Sequence, residues 1–164
     1  MNGGGNVSPM IIERLQREVY RMNMYRNGSE GLATIPESTH HGPKVCLVDK
    51  YSSSDGDLFP YGFQKLGIGP LIGTRTWGGI VGISGSKPYV DGQDVRTPFF
   101  TSYSTDGKWI LENEGVTPDI YVDINPFEDY LGNDAQLNKA VEVLLEQIKT
   151  YPQLPGVPAP RVMD

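Results

Sequence analysis

The sequence predicts an α/β domain, and three observations carry that expectation. An apolar run at Lys44–Asp49, a helix-period stretch at 54–66 and a second apolar run at Leu71–Thr74 follow one another at the spacing of a parallel βαβ unit. Amphipathic stretches stand near both ends of the chain, at 9–24 and 134–150. Between 76 and 123, short apolar segments alternate with glycine turns. At 164 residues the chain has the length of one domain with an ordinary core.

Taken in order, Asn2-Gly3-Gly4-Gly5 reads as a loop and not as a domain start. The expected beginning of the domain therefore lies upstream, together with any targeting signal. Ser8 is placed to cap a helix and Pro9 to open it. Ile12, Leu15, Val19 and Met22 then recur at helical spacing, which predicts a helix to about 24. Residues 26–43 are polar, broken by Gly28, Gly31, Pro36, Gly42 and Pro43, and read as a loop. Lys44–Asp49 reads as a buried strand. Leu58, Phe59, Phe63 and Leu66 mark the next helix, which Gly67 and Gly69 end.

From Ile80 to Ile83, Tyr89 to Val95, Phe99 to Tyr103, Trp109 to Glu112 and Ile120 to Val122 the expectation is small antiparallel strands or extended loops over the sheet. Leu137, Ala140, Val141, Leu144, Leu145 and Ile148 line one face of the last helix. Aromatics and helix stripes are core by default. Residues 151–164 form a proline-rich tail.

Composition narrows the function. Glycine and proline together make 33 residues, a fifth of the chain, against a usual ~12%. Net charge is −6 and no Lys/Arg cluster occurs, which argues against nucleic acid and anionic membrane as partners. No apolar run is long enough to span a bilayer. One cysteine, Cys46, and two histidines, His40 and His41, exclude an intrachain disulfide and a Cys/His zinc site. Neither metal nor cofactor is expected. His40 and His41 lie in a polar loop that holds a base poorly, so both read as exposed. Cys46 reads as a small buried hydrophobe.

Three segments have the composition of chemistry, each with a plainer alternative. Glycines before a helix let backbone N–H groups approach an oxyanion or phosphate, or simply make a tight turn. Serines at 52–54, between a strand and a helix, have the setting of a nucleophile, with the Asp55 N–H available to an oxyanion. Serine and aspartate are also favoured helix caps. Glu112 and Glu114, in a short apolar strand, suit the orientation of a histidine or a solvated strand end.

Together these segments form an ordered set: Asn-Gly-Gly-Gly at 2–5, Ser-Asp-Gly-Asp-Leu-Phe at 54–59, Gly-Pro-Leu-Ile-Gly-Thr-Arg-Thr-Trp-Gly-Gly at 69–79 and Glu-Asn-Glu-Gly-Val at 112–116. The set resembles the C-terminal catalytic domain of tricorn-type proteases, within the tail-specific (C-terminal processing) serine peptidases. The likeness runs from Asn2 to about Lys149. It implies a crotonase/Clp-protease-like β-β-α superhelical core over residues 1–150.

The same resemblance implies Ser54 as nucleophile, Gly5 and Asp55 as oxyanion-hole amides and Glu112 as a supporting carboxylate. Relatives of the Ser–Lys type carry a lysine 25 residues after the serine. That position here is Gly79, so a histidine base of the tricorn kind fits better. In the family the histidine and an orienting serine come from upstream of the glycine loop. The chain is then expected to be an N-terminally truncated catalytic domain, inactive by itself. Where tricorn-type proteases place an aspartate favouring basic P1 residues, at the end of the first helix, the ungapped match is Asn23. Gly4 and Asn23 are thereby implied in substrate binding, with weakened preference for Lys or Arg. Peptide substrates, a large homo-oligomer and a cytoplasmic location, with secretion still open, complete the implied picture. A non-catalytic peptide-binding or assembly module of the same fold is the alternative, and hydrolysis of esters or small amides a third reading.

Overall fold

A computed structural model of the chain describes residues 2–26, 32–85 and 88–159. Eleven elements occur in the order α1 (Ser8–Leu15), β1 (Arg21–Met24), β2 (Leu32–Ile35), β3 (Cys46–Val48), α2 (Asp55–Lys65), β4 (Leu71–Gly73), β5 (Gly82–Gly85), β6 (Arg96–Phe100), β7 (Ile120–Tyr121), α3 (Pro126–Tyr130) and α4 (Ala135–Ile148).

The centre is a three-stranded parallel sheet in the order β3-β4-β7. Its middle strand, β4, is buried along its whole length, as a strand covered on both faces must be. Helix α2 makes the crossover from β3 to β4, so the expected βαβ unit is present. Gly62 in α2 leaves room for Ile12 of α1: a Cβ there would stand 2.5 Å from Ile12 Cδ1. The core gathers Val48, Phe63, Leu71, Ile80, Leu111 and Val116. Residues 76–81 and 110–116 interlock beside it, through Thr76 N–H to Val116 O at 3.0 Å and Val116 N–H to Thr76 Oγ1 at 2.7 Å.

Several expectations are corrected. The first helix stops at Leu15, and Arg21–Met24 is instead the antiparallel partner of β2. Pairing satisfies the backbone of both strands, which outweighs the weak helical preference of Val19 to Met22. The predicted loop at 26–43 therefore contains a strand at 32–35, while its part at 27–31 lies outside the described residues. Ser8 does not cap α1: Val7 holds that position, and the Ser8 side chain turns to Asp55.

Tyr89–Val95 is a turn, not a strand, closed by Tyr89 N–H to Gln93 O and Gly92 N–H to Tyr89 O. Trp109 makes only an isolated bridge to Tyr103, and 111–114 is a turn. Ile120–Tyr121 joins the central sheet in parallel and does not lie over it. A five-residue helix, α3, was not expected, although Asn125 before Pro126 carries its start signal. Trp77, Phe99, Phe100, Tyr103 and Trp109 are exposed, and so are Leu137, Val141, Leu145 and Ile148 of α4. These side chains are not core. Residues 152–159 run without helix or strand.

Candidate active site

Asn2–Ser8, the turn into α2 and the 76–81 segment meet around Ser54. Its backbone sits at φ 56°, ψ −113°, a region that a residue with a Cβ rarely adopts. Its side chain makes no capping bond to α2, although it occupies the N-cap position. The capping alternative for this serine is thereby removed. Ser52, by contrast, is buried and its hydroxyl donates to Asp49 Oδ1 at 3.0 Å.

Three acidic side chains hold the surroundings. Asp57, fully buried, accepts from the N–H groups of Gly78 at 2.8 Å and Gly79 at 3.2 Å. The Gly79 carbonyl in turn accepts the Ser54 N–H at 3.0 Å. Glu112 Oε2 accepts from the N–H groups of Ile80 at 2.8 Å and Val81 at 3.0 Å. Glu112 is flanked by two left-handed residues, Leu111 (φ 68°) and Asn113 (φ 64°), so its turn is sharply bent. Asp55 Oδ2 accepts from the N–H groups of Val7 at 3.0 Å and Ser8 at 3.2 Å, and its Oδ1 takes the Ser8 hydroxyl.

The glycine loop closes the site. Gly4 has φ +123°, and a Cβ there would stand 3.2 Å from Ser54 Cβ and 3.5 Å from Ser54 Oγ. A side chain at 4 would crowd the serine. Asn2 O accepts the Ser53 N–H at 2.8 Å, which fastens the start of the loop to the same turn. Among the described residues, neither the Gly5 nor the Asp55 backbone N–H has a hydrogen-bond acceptor. The Asp55 N–H opens α2, where the helix dipole favours negative charge.

The structure therefore brings Gly4, Gly5, Ser54 and Asp55 together, and ties Glu112 to the same segment through Ile80 and Val81. Asn23 lies in β1, paired with Ala33, and not at a helix end as expected. Its side chain accepts from Arg21 Nη1 at 2.8 Å, and it lines an apolar groove of about 270 Å³ between 19–24 and 154–158. His41 Nε2 donates to Pro152 O at 2.9 Å, and its ring meets Tyr151 edge-on. Both histidines are exposed. Asp57 was missed by the sequence reading. Its place in the first turn of α2 was legible, but its donors, 21 and 22 residues on, were not.

Among the described residues no cluster of His, Cys, Asp and Glu is placed to hold a metal ion. No described helix is long and apolar enough to cross a membrane. Burial pushes the Cys46 thiol up to about 11 and lowers the Lys44 ammonium from its usual range.

Comparison with known proteins decides the lineage. The model of Peptidase family S41 matches residues 1–122. The chain belongs to peptidase family S41. Within it, the chain is 37% identical over 159 residues to the tricorn protease of Thermoplasma acidophilum, covering 96% of this chain and 15% of that protein. It is 34% identical over 159 residues to tricorn protease homolog 1 of Streptomyces coelicolor, covering 94% and 15%. The crystal structure of the tricorn protease superposes with a TM-score of 0.84 at 38% identity, covering 91% of this chain and 14% of that one. The chain thus spans about one seventh of the length of these S41 relatives.

Proposed function

We propose that this chain carries the nucleophile half of a serine peptidase site acting on peptides or unfolded tails. One observation carries the reading. Ser54, in a strained turn and without a capping bond, stands beside two backbone N–H groups that have no acceptor among the described residues, those of Gly5 and Asp55. Membership of a peptidase family and the likeness to tricorn proteases support the same conclusion.

In this reading Ser54 Oγ attacks the carbonyl carbon of a scissile amide. The Gly5 and Asp55 N–H groups receive the oxyanion, a step worth several kcal/mol in such sites (about 3–4 per donor). The tetrahedral adduct expels the amine, and water releases the acyl group. The proton is taken by a histidine from a segment outside these 164 residues, since His40 and His41 are engaged elsewhere or exposed. Glu112 orients that base while Oε2 keeps its two N–H donors. Gly4 gives the substrate room beside Ser54. Asn23 bears on P1 preference only if the assembled protein brings β1 to the site.

The wider reading follows the family. Residues 1–150 belong to a catalytic domain with a crotonase/Clp-like superhelical core, 151–164 are its tail, and the whole protein works as a cytoplasmic homo-oligomer.

Fluorophosphonate labelling of the full-length gene product tests this. The expected adduct maps to Ser54, disappears in Ser54→Ala, and forms slowly or not at all on the isolated 164 residues. An adduct on Ser52 or Ser53 would shift the register. No adduct on the folded, assembled protein would leave a non-catalytic peptide-binding module.

A further inference from the structure

We infer that the Asp55 carboxylate is a positioning residue that fixes the spacing between the two oxyanion donors. This rests on the peptidase reading above and deepens it. The Asp55 main chain supplies one donor, and the Asp55 side chain grips the segment that supplies the other.

The geometry is direct. Asp55 is 2% exposed, and the partners of its carboxylate come from two adjacent residues. Oδ2 takes the N–H groups of Val7 at 3.0 Å and Ser8 at 3.2 Å; Oδ1 takes the Ser8 hydroxyl, which also lies 3.3 Å from Asp55 O. Among the described residues no cation pairs with it. A buried carboxylate without a counter-ion is costly unless N–H donors and a helix N-terminus replace the water it lost. Here both do, because Val7 and Ser8 begin α1.

Inside the segment so gripped one bond is made, from the Gly4 N–H to Asn2 Oδ1 at 3.0 Å, and it does not fix Gly5. Gly3, Gly4 and Gly5 lie between two anchors, Asn2 O on the Ser53 N–H and Val7–Ser8 on Asp55. Glycine has the widest backbone freedom of any residue, and Gly4 and Gly5 use it at φ +123° and +145°. An oxyanion hole needs its donors placed within a few tenths of an ångström. The anchors must therefore impose that placement. The bond from Ser53 N–H to Asn2 O uses only main chain and involves no side chain at 55. The other anchor is the Asp55 carboxylate itself.

A carboxylate that merely began α1 would affect stability alone. One that spaces the donors acts on the transition state, where the oxyanion exists, and not on ground-state binding. The test uses the full-length gene product and a fluorogenic peptide amide that it cleaves, with kcat and KM measured per folded protein for Asp55→Ala, Asp55→Asn and Ser8→Ala. Asp55→Ala is expected to lower kcat by about 10²–10³-fold, with KM within about threefold. Asn keeps one acceptor oxygen for the two N–H groups and should restore kcat to within about tenfold of wild type. Ser8→Ala removes only the hydroxyl bond and should cost less than Asp55→Ala. Where Asp55→Ala does not fold, the milder pair carries the test through kcat losses at constant KM. Folded variants with wild-type kcat, or with kcat unchanged and KM raised, overturn the inference. Ser54→Ala separates the two layers. If it abolishes activity while Asp55→Ala does not, only this inference fails. If it stays fully active, the peptidase reading fails and takes this inference with it.

Discussion

Asp57 Oδ1 accepts the Gly78 N–H at 2.8 Å, although the two residues stand 21 positions apart. This bond joins the first turn of α2 to the segment that receives the Ser54 N–H. The strained turn at Ser54 is therefore held from outside, by Asp57 acting through Gly78 and Gly79.

Removing that carboxylate should be costly. Asp57→Ala leaves two N–H groups without their acceptor, in a place where Asp57 has no exposed surface. Each such loss costs about 1–3 kcal/mol, so a destabilisation of at least about 2 kcal/mol is expected in chemical denaturation. A midpoint within experimental error of wild type would contradict the account.

Gly78 itself should tolerate no side chain. It has φ +86°, and a Cβ would meet Gly115 N at 2.6 Å and Leu111 O at 2.9 Å. Gly92, at φ +82° with nothing within 4 Å, provides the control. Gly92→Ala should cost only the left-handed penalty, about 1–2 kcal/mol. Gly78→Ala adds a backbone clash and should unfold the protein or cost clearly more. Equal melting temperatures for the two variants would show that the 76–81 and 110–116 segments are not locked together.

Strain at Ser54 also predicts a trade between stability and activity. Ser54→Ala keeps a Cβ at φ 56°, ψ −113° and keeps the strain; Ser54→Gly releases it. The glycine variant should be the more stable of the two by about 1 kcal/mol, after its own chain-entropy cost. Both should lose fluorophosphonate labelling. Thermal unfolding that ranks alanine above glycine would argue that the turn is relaxed.

Cys46 should be slow to react. Its thiol is pushed up to about 11 from 9.0 by burial. At pH 8 the thiolate fraction is then roughly 0.1%, against roughly 10% at the unshifted value, so alkylation by iodoacetamide should be about 100-fold slower. The sign for stability follows. Folding favours the neutral thiol, so this contribution is complete below pH 9 and fades as pH rises toward 11. Labelling as fast as in the unfolded chain would contradict this.

How much was legible in the sequence depended on how local each signal was. The βαβ unit around α2 was readable because two short apolar runs and a helical period need no distant partner to declare themselves. Helix α4 was readable within a residue or two for the same reason. Strand β1 was not: Val19 and Met22 continue a helical period that only the pairing with Ala33–Ile35 interrupts. Exposure was misjudged for the aromatics from Trp77 to Trp109, since an apolar side chain does not state whether its neighbours will cover it.

The sequence by itself determined which residues could take part: a glycine loop, a serine at a strand-to-helix junction with the Asp55 N–H beside it, and Glu112, in an order that fits one peptidase family. Tertiary structure alone decided what each one touches. It turned the Ser54 hydroxyl away from capping, aimed Asp55 at Val7 and Ser8, set Asp57 under Gly78 and Gly79, and put Asn23 in a strand paired with β2. The physical reason is that a buried carboxylate must find donors wherever the folded chain puts unpaired N–H groups. Those donors lie 21 to 48 residues away, beyond the reach of any periodicity or spacing.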